Sequence, residues 1–291
     1  MKRPHSLMLL LRWSAVVVIC VVLNVRGLSA DQLLAPDNLV AWCIVPFDAT
    51  HRSPEQRAAM VQRLGLQRIA YDWRAEHVAE FEEEILQYKK HGLEFFAFWS
   101  WHDSIGPLIQ KHNIHPQIWA MLPNPKAAER SERIREAATG MLWLVDSTAS
   151  LGCSLGLYNH GHWGGEPANM VAVCEYLREH HEADHVGIVY NFHHGHEHIH
   201  RFESHFTTMM PYLLCVNING MANVDAVRAG HDKILTIGSG KHEEAMLRTI
   251  LNSGYSGPIG ILDHRSDRDT EEVLRENLAG LEKIRHQLAR P

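Results

Sequence analysis

Two short stretches concentrate the side chains that can move protons or hold a metal. Residues 158–166 read YNHGHWGGE, and residues 190–200 read YNFHHGHEHIH. Half of the 22 histidines lie between His160 and His205. Neutral imidazole exchanges protons near neutral pH, and with a carboxylate beside it can act as a base or as a transition-metal ligand. By residue type, His194, His160 and Glu166 are the candidate catalytic bases. His160, His162, His194 and His196 are the candidate ligands of a zinc or manganese ion. There is no H-E-x-x-H motif and no cysteine pair, and histidines two apart in a loop chelate less reliably than those fixed on one helix face. Direct proton handling by imidazole therefore stands beside metal binding as an open alternative.

What these residues can do depends on the elements that carry them. From residue 38 onward, short runs rich in Val, Ile, Phe and Tyr alternate with helical stretches. The runs fall at 39–45, 67–71, 93–99, 117–122, 153–158, 185–190, 213–218 and 258–262. Helices are expected near 54–64, 77–91, 105–112, 126–150, 167–181, 203–211, 241–252 and 270–288. Ser53-Pro54-Glu55 reads as a cap before a proline at the first helical position. Gly65, Gly92 and Gly152 stand where helices end. Eight strands alternating with eight helices predict an α/β chain, a single (β/α)8 TIM barrel over residues 38–288. The rival is an open doubly wound sheet. It is disfavoured because no glycine-rich phosphate turn follows the first strand.

Active sites of such barrels sit at the C-terminal strand ends. The expected substrate-binding set there is Asp72, Trp73, Arg74, Trp99, Trp101, Asn159, Trp163, Asn191, Asn217, Asn219 and His264. Indole faces paired with amides and carboxylates suit a sugar-like ligand. Asp72 and Arg74 are also readable as an internal ion pair, Asp48 as a turn residue, and Glu166 as a carboxylate at a helix start. The amides of Gly238-Ser239-Gly240 could bind an anion or simply turn the chain into a helix. His198, His200 and His205 lie past the strand end, where a solvated or supporting role is expected.

The composition sets further bounds. A net charge of -6 leaves no footprint for nucleic acid. Lys2 and Arg3, an apolar run from Leu7 to about Val25, and Gly27-Leu28-Ser29-Ala30 describe a signal peptide over residues 1–30. A periplasmic or secreted protein without stable membrane association is expected, the alternative being an anchor left uncleaved. Cys43, Cys153, Cys174 and Cys215 fall in apolar runs and read as buried free thiols.

The segments GLYNHGHWGGE, VGIVYNFHHGHEH, IGSGKHEEAML and GYSGPIGIL resemble the xylose isomerase-like barrels, a group of sugar phosphate isomerases and epimerases related to AP endonuclease family 2, in a secreted branch. The resemblance spans about 38–288. It implies a divalent metal held at the ends of strands 5, 6, 7 and 8, which here fall within one position of Tyr158, Asn191, Asn217 and Leu262. None of these is the expected ligand, since amides bring no charge and leucine cannot coordinate. His194 keeps the histidine of the Asp-x-x-His pattern at strand 6. The resemblance implies an exported isomerase or epimerase, or a lyase, acting on a free sugar, keto-sugar or glycoside by proton transfer beside a carbonyl. Asn159, Asn191, Asn217 or a metal would stabilise the enolate. A non-catalytic carbohydrate-binding barrel and a periplasmic metal-binding protein remain the alternatives. The oligomeric state is not legible.

Overall fold

The computed structural model describes residues 28–230 and 232–289. The expected signal over residues 1–30 therefore lies almost wholly outside the described residues. Eight strands form the barrel: β1 (Leu39–Trp42), β2 (Arg68–Asp72), β3 (Glu94–Trp99), β4 (Gln117–Ala120), β5 (Leu155–Tyr158), β6 (Val186–Asn191), β7 (Leu213–Ile218) and β8 (Ile259–Leu262). Each pairs in parallel with its sequence neighbour. β8 closes on β1, with Leu39 opposite Ile259 and Trp42 opposite Leu262. The sheet is a closed barrel, so the open doubly wound alternative is ruled out.

The outer ring is α1 (Pro54–Arg63), α2 (Phe81–Lys90), α3 (Ile105–His112), α4 (Arg130–Ser150), α5 (Pro167–His181), α6 (Phe202–Met209), α7 (Glu243–Asn252) and α8 (Thr270–Leu288). Ser53 and Gln56 form a reciprocal capping box at the start of α1. The expected first strand ran to Val45 but ends at Trp42. Cys43 takes a left-handed backbone, φ 61°, which turns the chain out of the ladder. The expected helix from 126 begins at Arg130 because Glu136 accepts the amides of Lys126 and Ala127 and holds them as a loop.

Strand side chains alternate between two apolar layers. One packs under the helices and includes Ile69, Tyr71, Phe81, Phe98, Ile118 and Tyr190. The other fills the barrel interior and includes Val40, Trp42, Phe96, Trp119, Tyr158, Val189 and Leu262. Gly156 makes room for this filling: a Cβ there would lie 2.5 Å from Val189 and 2.9 Å from Trp119. Cys43, Cys153, Cys174 and Cys215 are buried and free, as the apolar runs around them predict. Among the described residues, no helix is long and apolar enough to cross a membrane.

Candidate active site at the barrel mouth

The C-terminal strand ends bring four imidazoles into one chain of contacts. His160 follows β5, His193 and His194 follow β6, and His264 follows β8. The rings of His160 and His194 lie 4.2 Å apart, those of His193 and His194 4.4 Å, and those of His193 and His264 5.0 Å. His264 also contacts the Cys43 thiol at 2.9 Å and stacks on Phe47 at 4.5 Å. Three strands that close in space thus assemble a cluster that is scattered in sequence.

Beneath the imidazoles lies an aromatic floor. Trp99 packs 4.4 Å from Tyr158, Trp42 packs 4.8 Å from Trp119, and the Tyr158 ring lies 5.6 Å from His194. Half-buried Trp99 is 6.1 Å from His160 and nearly parallel to it. Of the four tryptophans expected to form a platform, only Trp99 packs with the interior. Trp73 donates its indole N–H to the Ser100 carbonyl and packs edge-on to Phe81 in the outer layer. Trp101 packs against Trp143 of α4, and Trp163 lies under the Arg133 guanidinium. These three sit against the helix-facing core, because the turns after β2, β3 and β5 direct them outward. The interior rings Trp42 and Trp119 were not singled out from sequence. Nothing short of the strand phase distinguishes an inward indole from an outward one.

The amide candidates divide by what they already bind. Asn159 uses both ends of its amide on the Asn191 backbone, accepting its N–H at 2.7 Å and donating to its carbonyl at 3.0 Å. It clamps β5 to β6. Asn191 donates to the Tyr158 hydroxyl and accepts the His193 backbone N–H at 2.9 Å. Asn217 and Asn219 are buried. The Asn217 side-chain N–H2 and the Asn219 side-chain carbonyl have no hydrogen-bond partner among the described residues. Gly260 makes room for Asn217, since a Cβ there would fall 1.9 Å from its Oδ1.

Asp72 is 1% exposed at the end of β2, and among the described residues no side chain hydrogen-bonds either of its oxygens, while the backbone N–H groups of Asp72 and Val45 lie close enough to favour its charged form. The expected ion pair with Arg74 does not form. Arg74 instead lies over the Phe47 ring and donates to the Trp73 carbonyl. Burial, opposed by the nearby Arg74 charge, pushes the Asp72 carboxyl up to about 7. The expected turn role of Asp48 holds: it accepts the amides of Thr50 and Arg52.

Other candidates lie apart. The half-exposed Glu166 side chain faces His198 at 3.5 Å rather than the cluster. His198 itself is buried and bonded to Tyr190, which is the supporting and not the solvated one of its two expected roles. His196 is buried with Nε2 bound to the Ala222 carbonyl, and His162 is exposed. His200 is exposed, as its place along the loop predicts. The Gly238–Gly240 amides offer no anion site, because the buried Glu243 carboxylate accepts the N–H groups of Gly238, Gly240 and Met221.

Burial is the main cause of a wide spread in imidazole basicity. It pushes His194 down to about 2, His193 to about 3 and His264 to about 4, with neighbouring imidazoles adding to the first two. For His264, Asp263 pulls the other way. His160, at the exposed edge, is also lowered by burial. Half-buried Lys233, from the loop after β7, adds positive charge near His193 and His194. No sequence pattern marked it.

The metal implied by the resemblance does not fit this mouth. Tyr158 is buried among indoles with its hydroxyl pushed well above its usual range by burial, and Leu262 is fully buried and apolar. Asn217 Oδ1 accepts from the Cys215 thiol. Among the described residues, no three histidine, cysteine, aspartate or glutamate side chains converge to hold a metal ion. The expected set of His160, His162, His194 and His196 is therefore not assembled as a site.

No family model matches the sequence, and no curated protein matches it at a significant level. Solved structures do match. The 3-keto-D-glucoside 4-epimerase of E. coli is 14% identical, with 85% of this chain and 99% of that one covered and a TM-score of 0.61. A xylose isomerase domain protein of Alicyclobacillus acidocaldarius is 16% identical over 87% and 99%, with a TM-score of 0.58. A D-psicose 3-epimerase, determined with D-fructose, is 13% identical over 86% and 99%, with a TM-score of 0.60. With the closed barrel described above, these likenesses show that the chain has a single (β/α)8 TIM-barrel fold similar to that of these proteins.

Proposed function

We propose that this protein is an exported carbohydrate enzyme that moves a proton next to a carbonyl, isomerising or epimerising a free keto-sugar or glycoside. The observation that carries this reading is the His160–His194 pair, rings 4.2 Å apart, above Trp99 and Tyr158 at the end of the barrel where such folds place their chemistry. Two of the structural neighbours are a 3-keto-D-glucoside 4-epimerase and a D-psicose 3-epimerase, which supports that substrate class for a similar mouth.

The two imidazoles take different roles. A group with pKa near 2 does not hold a proton at neutral pH, so His194 serves as a neutral imidazole whose N–H polarises the carbonyl. His160 is more exposed and is the proton acceptor. Trp99 offers its half-buried face to the apolar side of the sugar ring. No step is assigned to a metal, because the side chains at the implied positions do not supply ligands.

The test is solvent exchange. D-Fructose and methyl 3-keto-α-D-glucopyranoside are incubated with the protein in D2O and followed by NMR. The enzyme reading expects deuterium at the carbon beside the carbonyl with wild type and none with His160→Ala. A second reading, a sugar-binding barrel without turnover, draws on the unsuited residues Tyr158, Asn191, Asn217 and Leu262. Binding of either sugar without exchange would establish it.

A further inference from the structure

Asp72 is a buried acid that no side chain among the described residues pairs with. It ends β2, points into the interior by strand alternation from Ala70, and lies 1% exposed with no side-chain partner for either oxygen among the described residues. An ionised carboxylate in that position would be strongly penalised unless paired. Among the described residues no side chain pairs with it, and the backbone N–H groups of Asp72 and Val45 only partly offset its burial. Cys43, just past β1, Tyr158 on β5, Tyr71 on β2 and Tyr88 on α2 are buried acids near enough to feel its charge, and none is a cation. Arg74 and Arg57 are near enough to be felt, but neither makes an ion pair with it, and Arg57 is engaged with Glu84.

The other buried acids at this level are occupied. Tyr158 already accepts the Asn191 amide, and the Cys43 thiol meets His264. Asp72 is thus a free donor on the side of the mouth away from β5 and β6, which carry His160 and His194. The closed barrel places β2 across from β5 and β6.

We propose that Asp72 is the acid of the site: it stands as a carboxylic acid and gives its proton to the carbonyl oxygen of the bound sugar while the imidazole opposite removes the C–H proton. This rests on the proton-transfer reading above. In the step, the C–H electron pair becomes the C=C bond of an enediol and the proton goes to His160. The carbonyl π pair moves to oxygen, which takes the Asp72 proton. Return of a proton from imidazolium to either carbon of the enediol, and of the hydroxyl proton to Asp72, restores both groups and balances charge. The ligand-free carboxyl is closed off, and Asp72 stands in register with half-buried Trp99 of β3, so the contact requires that Trp99 shift as a sugar binds on its face. The carboxyl, held near 7 by burial, is largely protonated just below neutrality.

Two measurements on the full chain test this. In protein labelled with 13C at aspartate Cγ, one resonance, identified by its loss in Asp72→Asn, should remain protonated at pH 5.5 and titrate near neutrality. In the D2O exchange with D-fructose and methyl 3-keto-α-D-glucopyranoside, Asp72→Asn should lower kcat roughly 10²–10⁴-fold with KM little changed. Wild-type activity should fall as pH rises past neutrality, and Asp72→Asn should lack that limb. A merely structural carboxyl would move neither the pH profile nor the kcat-against-KM split. An Asp72 that ionises in the ordinary carboxylate range overturns the proposal. So does undiminished exchange by Asp72→Asn while wild type is active. If wild type exchanges neither sugar, the enzyme reading fails and the acid role falls with it, whatever the titration gives.

Discussion

The rings of His160 and His194 lie 4.2 Å apart although they follow different strands. β5 and β6 run in parallel register, Tyr158 opposite Val189, and Asn159 clamps the Asn191 backbone. The two loops therefore leave the barrel side by side. The pair is built by strand register and held by an amide clamp.

If this pair carries the chemistry, His160→Ala and His194→Ala should each abolish deuterium exchange into a keto-sugar while the chain stays folded. His200→Ala should change sugar affinity by less than ~0.5 kcal/mol, as an ordinary surface substitution does. Equal losses for all three variants by NMR would make the whole histidine run one site.

Acid should unfold this protein early. His193, His194 and His264 are held at about 3, 2 and 4 in the fold. The unfolded chain takes up protons near pH 6.5 that the folded chain refuses, so stability is lost as pH falls below 6.5. Asp72 acts in the opposite sense. Raised from 3.8 to about 7, it contributes most below 3.8 and loses that contribution as pH rises through 7. Three groups oppose one, so Tm measured between pH 7 and 5 should decline, and His194→Gln should flatten the slope. A constant Tm over that range would contradict the burial of these rings.

Glu243 acts as an internal anion for the Gly238–Gly240 turn. Removing it in Glu243→Ala strands three backbone donors and should cost about 2–4 kcal/mol in urea unfolding. Sulfate should not raise the wild-type Tm through this turn, because the amides are already filled.

Gly260→Ala tests the packing of Asn217. Its Cβ would meet Asn217 Oδ1 at 1.9 Å, backed by a full interior. The overpacking should destabilise by about 1–3 kcal/mol. Asn217→Ala in the same background should recover most of that loss in thermal melts.

Treatment with EDTA should leave sugar exchange unchanged, since Tyr158 and Leu262 supply no ligands where the family places them. Loss of exchange on chelation, restored by zinc or manganese, would show that the imidazoles regroup around an ion.

Much of the architecture was already determined by the sequence. Runs of β-branched and aromatic residues broken by glycine-ended helices require alternating strands and helices. Eight such pairs over residues 38–288 favour a closed barrel, and the pairing of β8 with β1 decides it over an open doubly wound sheet. Strand ends were legible because their apolar runs stop at polar residues, which is why Asp72, Asn191, Asn217 and His264 were marked. What sequence could not settle is direction and occupancy. Whether an indole after a strand turns inward, as Trp99 does, or outward, as Trp73, Trp101 and Trp163 do, depends on the turn. A single residue such as left-handed Cys43 changes that turn. Whether a polar group is free or consumed depends on partners distant in sequence. Glu243 fills the glycine turn, Asn159 is spent on Asn191, and Asp72 meets no side-chain partner among the described residues. Hydrogen bonding and burial are properties of pairs, and only tertiary structure chooses the pairs.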